Sequence, residues 1–225
     1  MSSDEYRTEF GLPTATGTDN QKLLNLALEI RRFEIDLYWK RATYFWAFLA
    51  ITLGGYFTAF RATFLQRSEK GETLLTISCL GLVFSVAWYF VNRASKFWQE
   101  NWEHHVDLLE NGVVGPLYKT VVLDAKLSFW RLNGPYPFSV SKINQLLSLF
   151  VAALFLMLVV RTLHGYFWLW WPPFSSTLMV VLTAAAVAAL CLWGRTSLDW
   201  KRPEHPTDGT SAKAVYAVRR TTKIV

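Results

Sequence analysis

The sequence predicts an all-α, polytopic membrane protein with four transmembrane helices. Its length and composition favour this class, because 52% of the 225 residues are hydrophobic and 11 are Trp, which is unusual for a soluble domain of this length. Four apolar runs contain no Asp, Glu, Lys, Arg or His, and each is long enough to cross the hydrocarbon core as a helix. These runs are residues 42–60, 74–91, 143–160 and 177–193.

The chain begins with a polar segment that contains Gly11, Pro13 and Gly17, and we expect residues 1–18 to form a mobile tail. A helix is predicted from about residue 20 to 60, since nothing that breaks a helix separates its polar beginning from the first apolar run. Apolar residues at steps of three and four predict the seam by which this helix contacts another helix. The predicted seam consists of Leu23, Leu26, Ile30, Phe33 and Leu37.

The second helix is predicted to begin at Leu74, after a polar loop at 61–73, and to continue without a break through the second run to Glu110. Its apolar stripe comprises Trp88, Val91, Ser95, Trp98, Trp102, Val106 and Leu109. The short loop makes helices 1 and 2 antiparallel. Residues 19–110 are therefore predicted to form a long hairpin that extends into the cytoplasm as an antiparallel rod, with Arg41 near Arg93 and Leu23 near Glu110.

Residues 111–142 are predicted to be a cytoplasmic connector, since Asn111-Gly112 and Gly115-Pro116 end the second helix. Within the connector, 117–130 fits a short helix or a strand, and we favour a helix. Residues 143–194 then form a second transmembrane hairpin. Its two helices are joined through an aromatic cluster at 164–173 of the kind found at membrane–water boundaries. A basic tail follows at 195–225.

The distribution of Lys and Arg predicts the orientation. Segments 1–41, 93–144 and 195–225 together hold 19 of these residues, whereas 61–73 and 161–176 hold four. The positive-inside rule then places both termini and the middle segment in the cytoplasm, with the cations near anionic lipids of the inner leaflet. The net charge of +6 is explained in this way, and no nucleic-acid partner is expected.

Small residues recur at four-residue spacing in three of the spans, and such faces let helices approach closely. They fit packing within one hairpin or between subunits, and the number of faces favours a homo-oligomer. The candidate packing residues are Ala50, Gly54, Thr58, Gly81, Ser85, Ala184 and Ala188, together with Trp98 and Trp102 outside the membrane. The last two are better explained by packing against helix 1 than by stacking on a ligand.

Candidate chemistry is sparse. Charge-free spans argue against a proton pump or an ion-coupled transporter, which use ionisable groups near mid-bilayer. No phosphate-binding loop or catalytic triad motif occurs, so we expect no enzymatic activity and no cofactor. His104 and His105, with Glu100 and Asp107 within one helical turn of His104, offer half of a metal site at most. A solvated or inter-helix face is the simpler interpretation of these residues.

Several segments together resemble a known family. They are EIRRFEIDLYWKR at 29–41, NRASKFWQENWEHHVDLLE at 92–110, GPLYKT at 115–120 and FSVSKINQLLSLF at 138–150. These segments resemble the RipA-like family of small bacterial inner-membrane proteins, described as octameric, over about residues 20–195. The resemblance implies a cytoplasmic-membrane homo-oligomer and supplies no catalytic residues.

The sequence therefore predicts a non-enzymatic inner-membrane homo-oligomer, octameric if the resemblance holds, with a scaffold or envelope-related role. Two alternatives remain open at this stage. One is an oligomeric channel for ions or small solutes, formed around a central opening by the charge-free spans. The other is a membrane metal protein that uses the region around His104 and His105.

Overall fold

The structure, a computed structural model, describes Tyr6, residues 8–11, 17–122, Trp130, 136–167 and 173–194. It contains four long helices, which are α1 (Gly17–Arg61), α2 (Arg67–Leu109), α3 (Val140–Phe167) and α4 (Phe174–Trp193). A single 3-10 turn, Glu110–Gly112, follows α2. No strand occurs in these ranges. Each long helix contains a window that is apolar and long enough to cross a membrane. The predicted all-α fold with four spans is confirmed.

The chain divides into two compact units. Among the described residues, the first contains Tyr6, 8–11, 17–33 and 99–122, and the second contains 34–98, Trp130, 136–167 and 173–194. Helices α1 and α2 therefore contribute to both units, whereas α3 and α4 lie entirely in the second.

The second unit is built around α2. Its main core joins α1, α2 and α3 through buried side chains that include Tyr56, Trp88 and Phe155. A smaller cluster around Cys79 and Val159 joins α2 and α3 to α4. In the most apolar window of α2, 39% of the residues are buried, whereas in that of α4 only 6% are. The described residues therefore leave most of the apolar surface of α4 uncovered.

Within the second unit, α1 and α2 run antiparallel. Arg41 Nη1 donates to Ser95 Oγ at 3.2 Å, and the rings of Phe48 and Phe84 stack at 5.1 Å between centroids. The connection between the helices is tight, because α1 ends at Arg61 and α2 begins at Arg67. The predicted loop at 61–73 is therefore too long, and the Glu69 carboxylate accepts the Gln66 N–H at 3.2 Å where α2 begins.

In the first unit, the beginning of α1 packs against the end of α2. Leu24 and Ala27 are buried with Val106 and Leu109, and Arg31 Nη2 lies 3.3 Å from Glu103 Oε1. The antiparallel pairing agrees with the predicted one, in which residue 23 approaches residue 110.

The predicted seam on α1 is rotated from the observed one. Leu24 and Ala27 face α2, whereas Leu26 and Phe33 are 53% and 59% exposed. The segment LLNLALEI at 23–30 carries apolar residues on two faces of the helix. Spacing alone could not decide which of these faces α2 covers.

The predicted mobile tail at 1–18 is wrong for Tyr6, which is buried in the first unit with only 2% of its surface exposed. Its ring packs against Phe10 and His105 at centroid distances of 4.6 and 5.7 Å. α1 also begins inside the predicted tail, at Gly17. A lone tyrosine in a polar segment gives no periodic signal, and its burial depends on a residue 99 positions away.

The favoured helix at 117–130 is also wrong where the structure describes it, because Leu117–Lys119 form a turn and residues 120–122 have no regular structure. The backbone N–H groups of Tyr118 and Lys119 bind the Glu110 side chain instead of beginning a helix. α3 begins at Val140, three residues before the predicted span, and extends past Arg161 to Phe167. The predicted basic tail at 195–225 and half of the aromatic cluster, residues 168–172, lie outside the described residues.

Candidate functional site

The small-residue face of α1 is exposed on the chain. Ala50, Gly54 and Thr58 are all exposed, and a Cβ atom built on Gly54 would meet nothing within 4 Å. The Thr58 hydroxyl donates to the Gly54 carbonyl at 2.8 Å, so its polar group is already satisfied within the helix. The face is flat, apolar and without a partner among the described residues of the chain.

The small-residue face of α2 is covered by α3. Gly81 and Ser85 are buried, and a Cβ atom built on Gly81 would lie 2.1 Å from Cε1 of Phe155. That separation is less than any real carbon–carbon contact, so the phenyl ring occupies the place of the missing side chain. The candidate residues on α2 therefore serve packing within the chain.

The small-residue face of α4 is exposed in the same way as that of α1. Ala184 and Ala188 are exposed, and so is the nearby Val181, at 57%. In contrast, the buried Thr183 on the opposite side of α4 satisfies its hydroxyl by donating to the Met179 carbonyl at 2.8 Å. The structure thus divides the predicted packing residues into one internal face, on α2, and two uncovered faces, on α1 and α4.

The two tryptophans predicted to pack in the rod are only half-buried. Trp98, in the second unit, makes an edge contact with Phe97 at 5.3 Å between centroids. Trp102, in the first unit, has its ring centroid 5.1 Å from that of His105. Between residues 88 and 109 of α2, the buried positions are Trp88, Asn92 and Ser95 in the second unit and Val106 and Leu109 in the first. The predicted stripe is thus close to the observed one but does not coincide with it.

The histidine pair is divided between packing and solvent. His104 is exposed, whereas His105 is half-buried and its Nδ1 lies 2.7 Å from the hydroxyl oxygen of Tyr6. Burial raises the pKa of Tyr6 to about 12. Burial, and then the neighbouring charge of His104, lowers the pKa of His105 below its usual 6.5. A ring nitrogen that could bind a metal is therefore engaged with a phenol.

No three His, Cys, Asp or Glu side chains come together within the part of the chain that the structure describes. Cys79 is buried in the core of the second unit and Cys191 is exposed on α4, and both are free thiols.

The sequence did not predict two clusters of buried polar side chains. In the first unit, the side chain of Glu110 is 0% exposed and accepts the N–H groups of Tyr118 and Lys119 at 2.6 and 3.3 Å. The Lys119 ammonium lies 3.7 Å from the same carboxylate. The sequence predicts Glu110 only as the end of helix 2, and only the Asn111-Gly112 signal beside it indicates that the chain turns there.

The second cluster, in the second unit, joins three helices. The Asn144 side chain of α3 donates to the Tyr38 hydroxyl of α1 at 2.5 Å, and Asn92 of α2 donates to the Asn144 carbonyl at 3.4 Å. All three residues are buried. The signal available in the sequence was an amide side chain at the end of an apolar run, as at Asn92 and Asn144. A buried amide in such a place requires a hydrogen-bond partner.

A model of the octameric membrane protein family matches residues 21–164. The matched region contains nearly all of α1, the whole of α2 and most of α3, and so it includes both the uncovered face of α1 and the buried face of α2. The face on α4 lies outside it. No curated protein and no solved structure matches the chain.

Proposed function

The chain belongs to the octameric membrane protein family, and from this premise we propose that it acts as a non-enzymatic scaffold, a homo-octamer in a bacterial cytoplasmic membrane. The observation that carries the proposal is the division of the small-residue faces. The face of α2 is used inside the chain, whereas no described residue of the chain covers the faces of α1 and α4.

Two different uncovered faces suit a closed ring. When one surface of a subunit binds a different surface of the next, the contacts are heterologous and close into a ring if the rotation allows it. We assign the face of α1, around Gly54, and the face of α4, around Ala184, as the two halves of this contact. Both consist of small side chains, which let helix backbones approach closely where apolar burial gives no advantage over lipid.

The polar groups of the spans favour a scaffold over a channel. Thr52, Ser78 and Ser85 are buried within the chain, and their hydroxyls donate to carbonyls of their own helices at 2.6–2.9 Å. A conducting pore is lined by polar or charged groups, whereas an apolar constriction excludes water. The uncovered faces of α1 and α4 offer a ring few such groups.

The proposed orientation rests on the 19 Lys and Arg in the segments assigned to the cytoplasm, against four in the two connecting loops. It places both termini in the cytoplasm, with the basic tail beside the anionic inner leaflet. The absence of catalysis is part of the proposal. It is supported by the hydrogen bond between the His105 ring and the Tyr6 hydroxyl.

Disulfide cross-linking tests the proposed contact. In a Cys191→Ser background, the double variant Gly54→Cys/Ala184→Cys should form a ladder of cross-linked subunits in native membranes under mild oxidation. The matched control is Ser85→Cys, which places a thiol within a membrane span as well, but on the buried face of α2, and it should give monomer only.

A ladder from Ser85→Cys, or none from the double variant in protein that assembles, would overturn the assignment of the two faces. The scaffold role is tested separately on the assembled protein in planar bilayers. Discrete conductance steps that the purified octamer produces, and that a monomeric variant does not, would establish the channel in its place.

A further inference from the structure

The second unit contains a cavity of about 620 Å³ where α1 ends, α2 begins and α3 passes beside them. Its walls combine cations with aromatic rings. The residues that matter here are Tyr56, Phe60, Arg67, Lys70, Arg161 and Tyr166. No carboxylate contributes to the lining.

The three cations come from different places in the sequence. Arg67 and Lys70 lie on the first turn of α2, whereas Arg161 lies on α3. Segments 61–73 and 161–176 contain four Lys and Arg residues in total, and the fourth is Arg61. Three of these four cations therefore converge on one cavity.

The three cations contact backbone carbonyl oxygens and an aromatic ring. Arg67 Nη2 donates to the Gly165 carbonyl at 3.2 Å, and Lys70 Nζ donates to the Ala62 carbonyl at 3.0 Å. Lys70 Nζ and Arg161 Cζ lie 5.6 and 5.7 Å from the centroid of the Phe60 ring. None of the three forms a salt bridge with a carboxylate of the described ranges.

The cavity lies at the boundary of the apolar runs. Arg61 ends the charge-free run 42–60, Arg161 ends the run 143–160, and the run 74–91 begins just after Lys70. Lys and Arg side chains at the end of a membrane span commonly extend to water separately from one another. Here they line a concave site together with aromatic residues, and no carboxylate of the described residues forms a salt bridge with them. Such a site is complementary to an anion that lies at the depth of lipid headgroups.

We propose that this cavity binds the phosphate of an anionic glycerophospholipid. Arg67 and Arg161 can each give a phosphate two parallel N–H donors, Lys70 adds a third positive charge, and Tyr56 and Tyr166 border the same space. Leu74 and Phe60 offer the apolar wall along which an acyl chain lies. This site is separate from the inner-leaflet contacts expected of the basic tail.

The test compares lipid retention by wild type and by a triple variant, Arg67→Gln/Lys70→Gln/Arg161→Gln, in nanodiscs. The discs contain phosphatidylcholine alone or mixed with phosphatidylglycerol. Bound lipid is counted by native mass spectrometry, and thermal unfolding is followed in parallel. Wild type should retain phosphatidylglycerol and unfold at a higher temperature in its presence. Each cation removed should weaken the affinity roughly fivefold to tenfold, so the triple variant should lose both effects.

Arg61→Gln is the matched control, because Arg61 is on the same side but does not line the cavity; it should retain lipid as wild type does. Arg67→Lys/Lys70→Arg/Arg161→Lys preserves the charge and should also bind. If the triple Gln variant does not fold, the three single Gln variants carry the same comparison.

Equal losses in Arg61→Gln and in the cavity variants would overturn the proposal, since the effect would then be one of general charge. Undiminished retention by the cavity variants would also overturn it. Inorganic phosphate and glycerol 1-phosphate are added to the phosphatidylcholine discs as a third arm. Stabilisation by either one that equals that of phosphatidylglycerol would identify a site for a free anion and exclude the lipid.

Discussion

Gly81 of α2 and Phe155 of α3 are in direct contact, because the phenyl ring occupies the space in which a Cβ atom on residue 81 would lie, 2.1 Å from Cε1. The ring belongs to the main core of the second unit. This contact explains why α2 and α3 lie close together, and it separates the role of Gly81 from that of Gly54, which has open space around it. Two glycines with the same sequence signal thus have different structural consequences.

Replacing Gly81 by Ala should destabilise the second unit, because the added methyl forces Phe155 from its position. Overpacking of this kind costs about 1–3 kcal/mol. Thermal unfolding of the purified protein, with subunit mass recorded at the same time, measures the effect. Gly54→Ala is the control and should leave the unfolding temperature of the subunit almost unchanged. Equal destabilisation by the two variants would contradict the packing described here.

Replacing Glu110 by Ala should loosen the turn that follows α2. The change removes a buried acceptor of two backbone N–H groups and the partner of Lys119. The expected loss is about 3 kcal/mol of local stability. Hydrogen exchange of residues 110–122 should rise steeply. The control is Asp36→Asn, which breaks an exposed pair with Lys40 and should change exchange very little. Unaltered exchange in Glu110→Ala would show that the carboxylate does not hold the turn.

The stability of the first unit should depend on pH through His105. Its pKa in the folded chain lies below the unfolded value of 6.5, so the unfolded chain takes up the proton more readily. The contribution of the neutral ring is fully present above pH 6.5 and is lost as the pH falls from 6.5 through the folded pKa. Tyr6 acts in the opposite direction. Its pKa of about 12, against 10.0 when unfolded, predicts a loss of stability as the pH rises above 10.0.

Hydrogen exchange of residues 6–11 and 100–110 between pH about 5 and about 8, corrected for intrinsic exchange, measures the first of these effects. Exchange should increase at the acid end in wild type, and His105→Gln should abolish that increase. His164→Gln, a substitution in the second unit, should retain it. An acid response that survives His105→Gln would assign the titration to another group.

The contact between Tyr38 and Asn144 predicts an energetic coupling between α1 and α3. Hydrogen bonds between membrane helices contribute roughly 0.6–1.7 kcal/mol. A double-mutant cycle with Tyr38→Phe and Asn144→Leu, measured by reversible unfolding in detergent, should give a coupling energy in that range. A coupling near zero would mean that the two side chains do not bind each other in solution.

The positions of the spans and the pairing of α1 with α2 could be predicted from sequence, because charge-free runs and a short loop restrict how the chain can cross a membrane. The face of α1 that α2 covers could not. Leu23 and Leu26 fit one face, and Leu24 and Ala27 fit another. The choice depends on how neighbouring helices pack, and that information does not lie within α1 itself.

The sequence identified the type of residue that allows close helix packing, but not which of these residues pack inside the chain and which are left uncovered. Small residues at four-residue spacing indicate close helix packing, and the structure distinguishes the internal face at Ser85 from the uncovered faces at Ala50 and Ala188. The burial of Glu110 and Tyr6 and the convergence of Arg67 with Arg161 were not foreseen. Each depends on contacts between residues that are distant in sequence, to which a periodic pattern is insensitive.

The central claim is that uncovered small-residue faces join the subunits, and the mass of the Gly54→Leu variant in native nanodiscs tests it most directly. A Cβ atom at this position meets no atom of the described residues within 4 Å, and the site is exposed on the chain, so the subunit should remain folded and helical. Thr76→Leu, also exposed but on α2, is the control for added bulk. We predict octamers for wild type and Thr76→Leu, and monomers or small incomplete assemblies for Gly54→Leu. A Gly54→Leu octamer as stable as that of wild type would contradict the account.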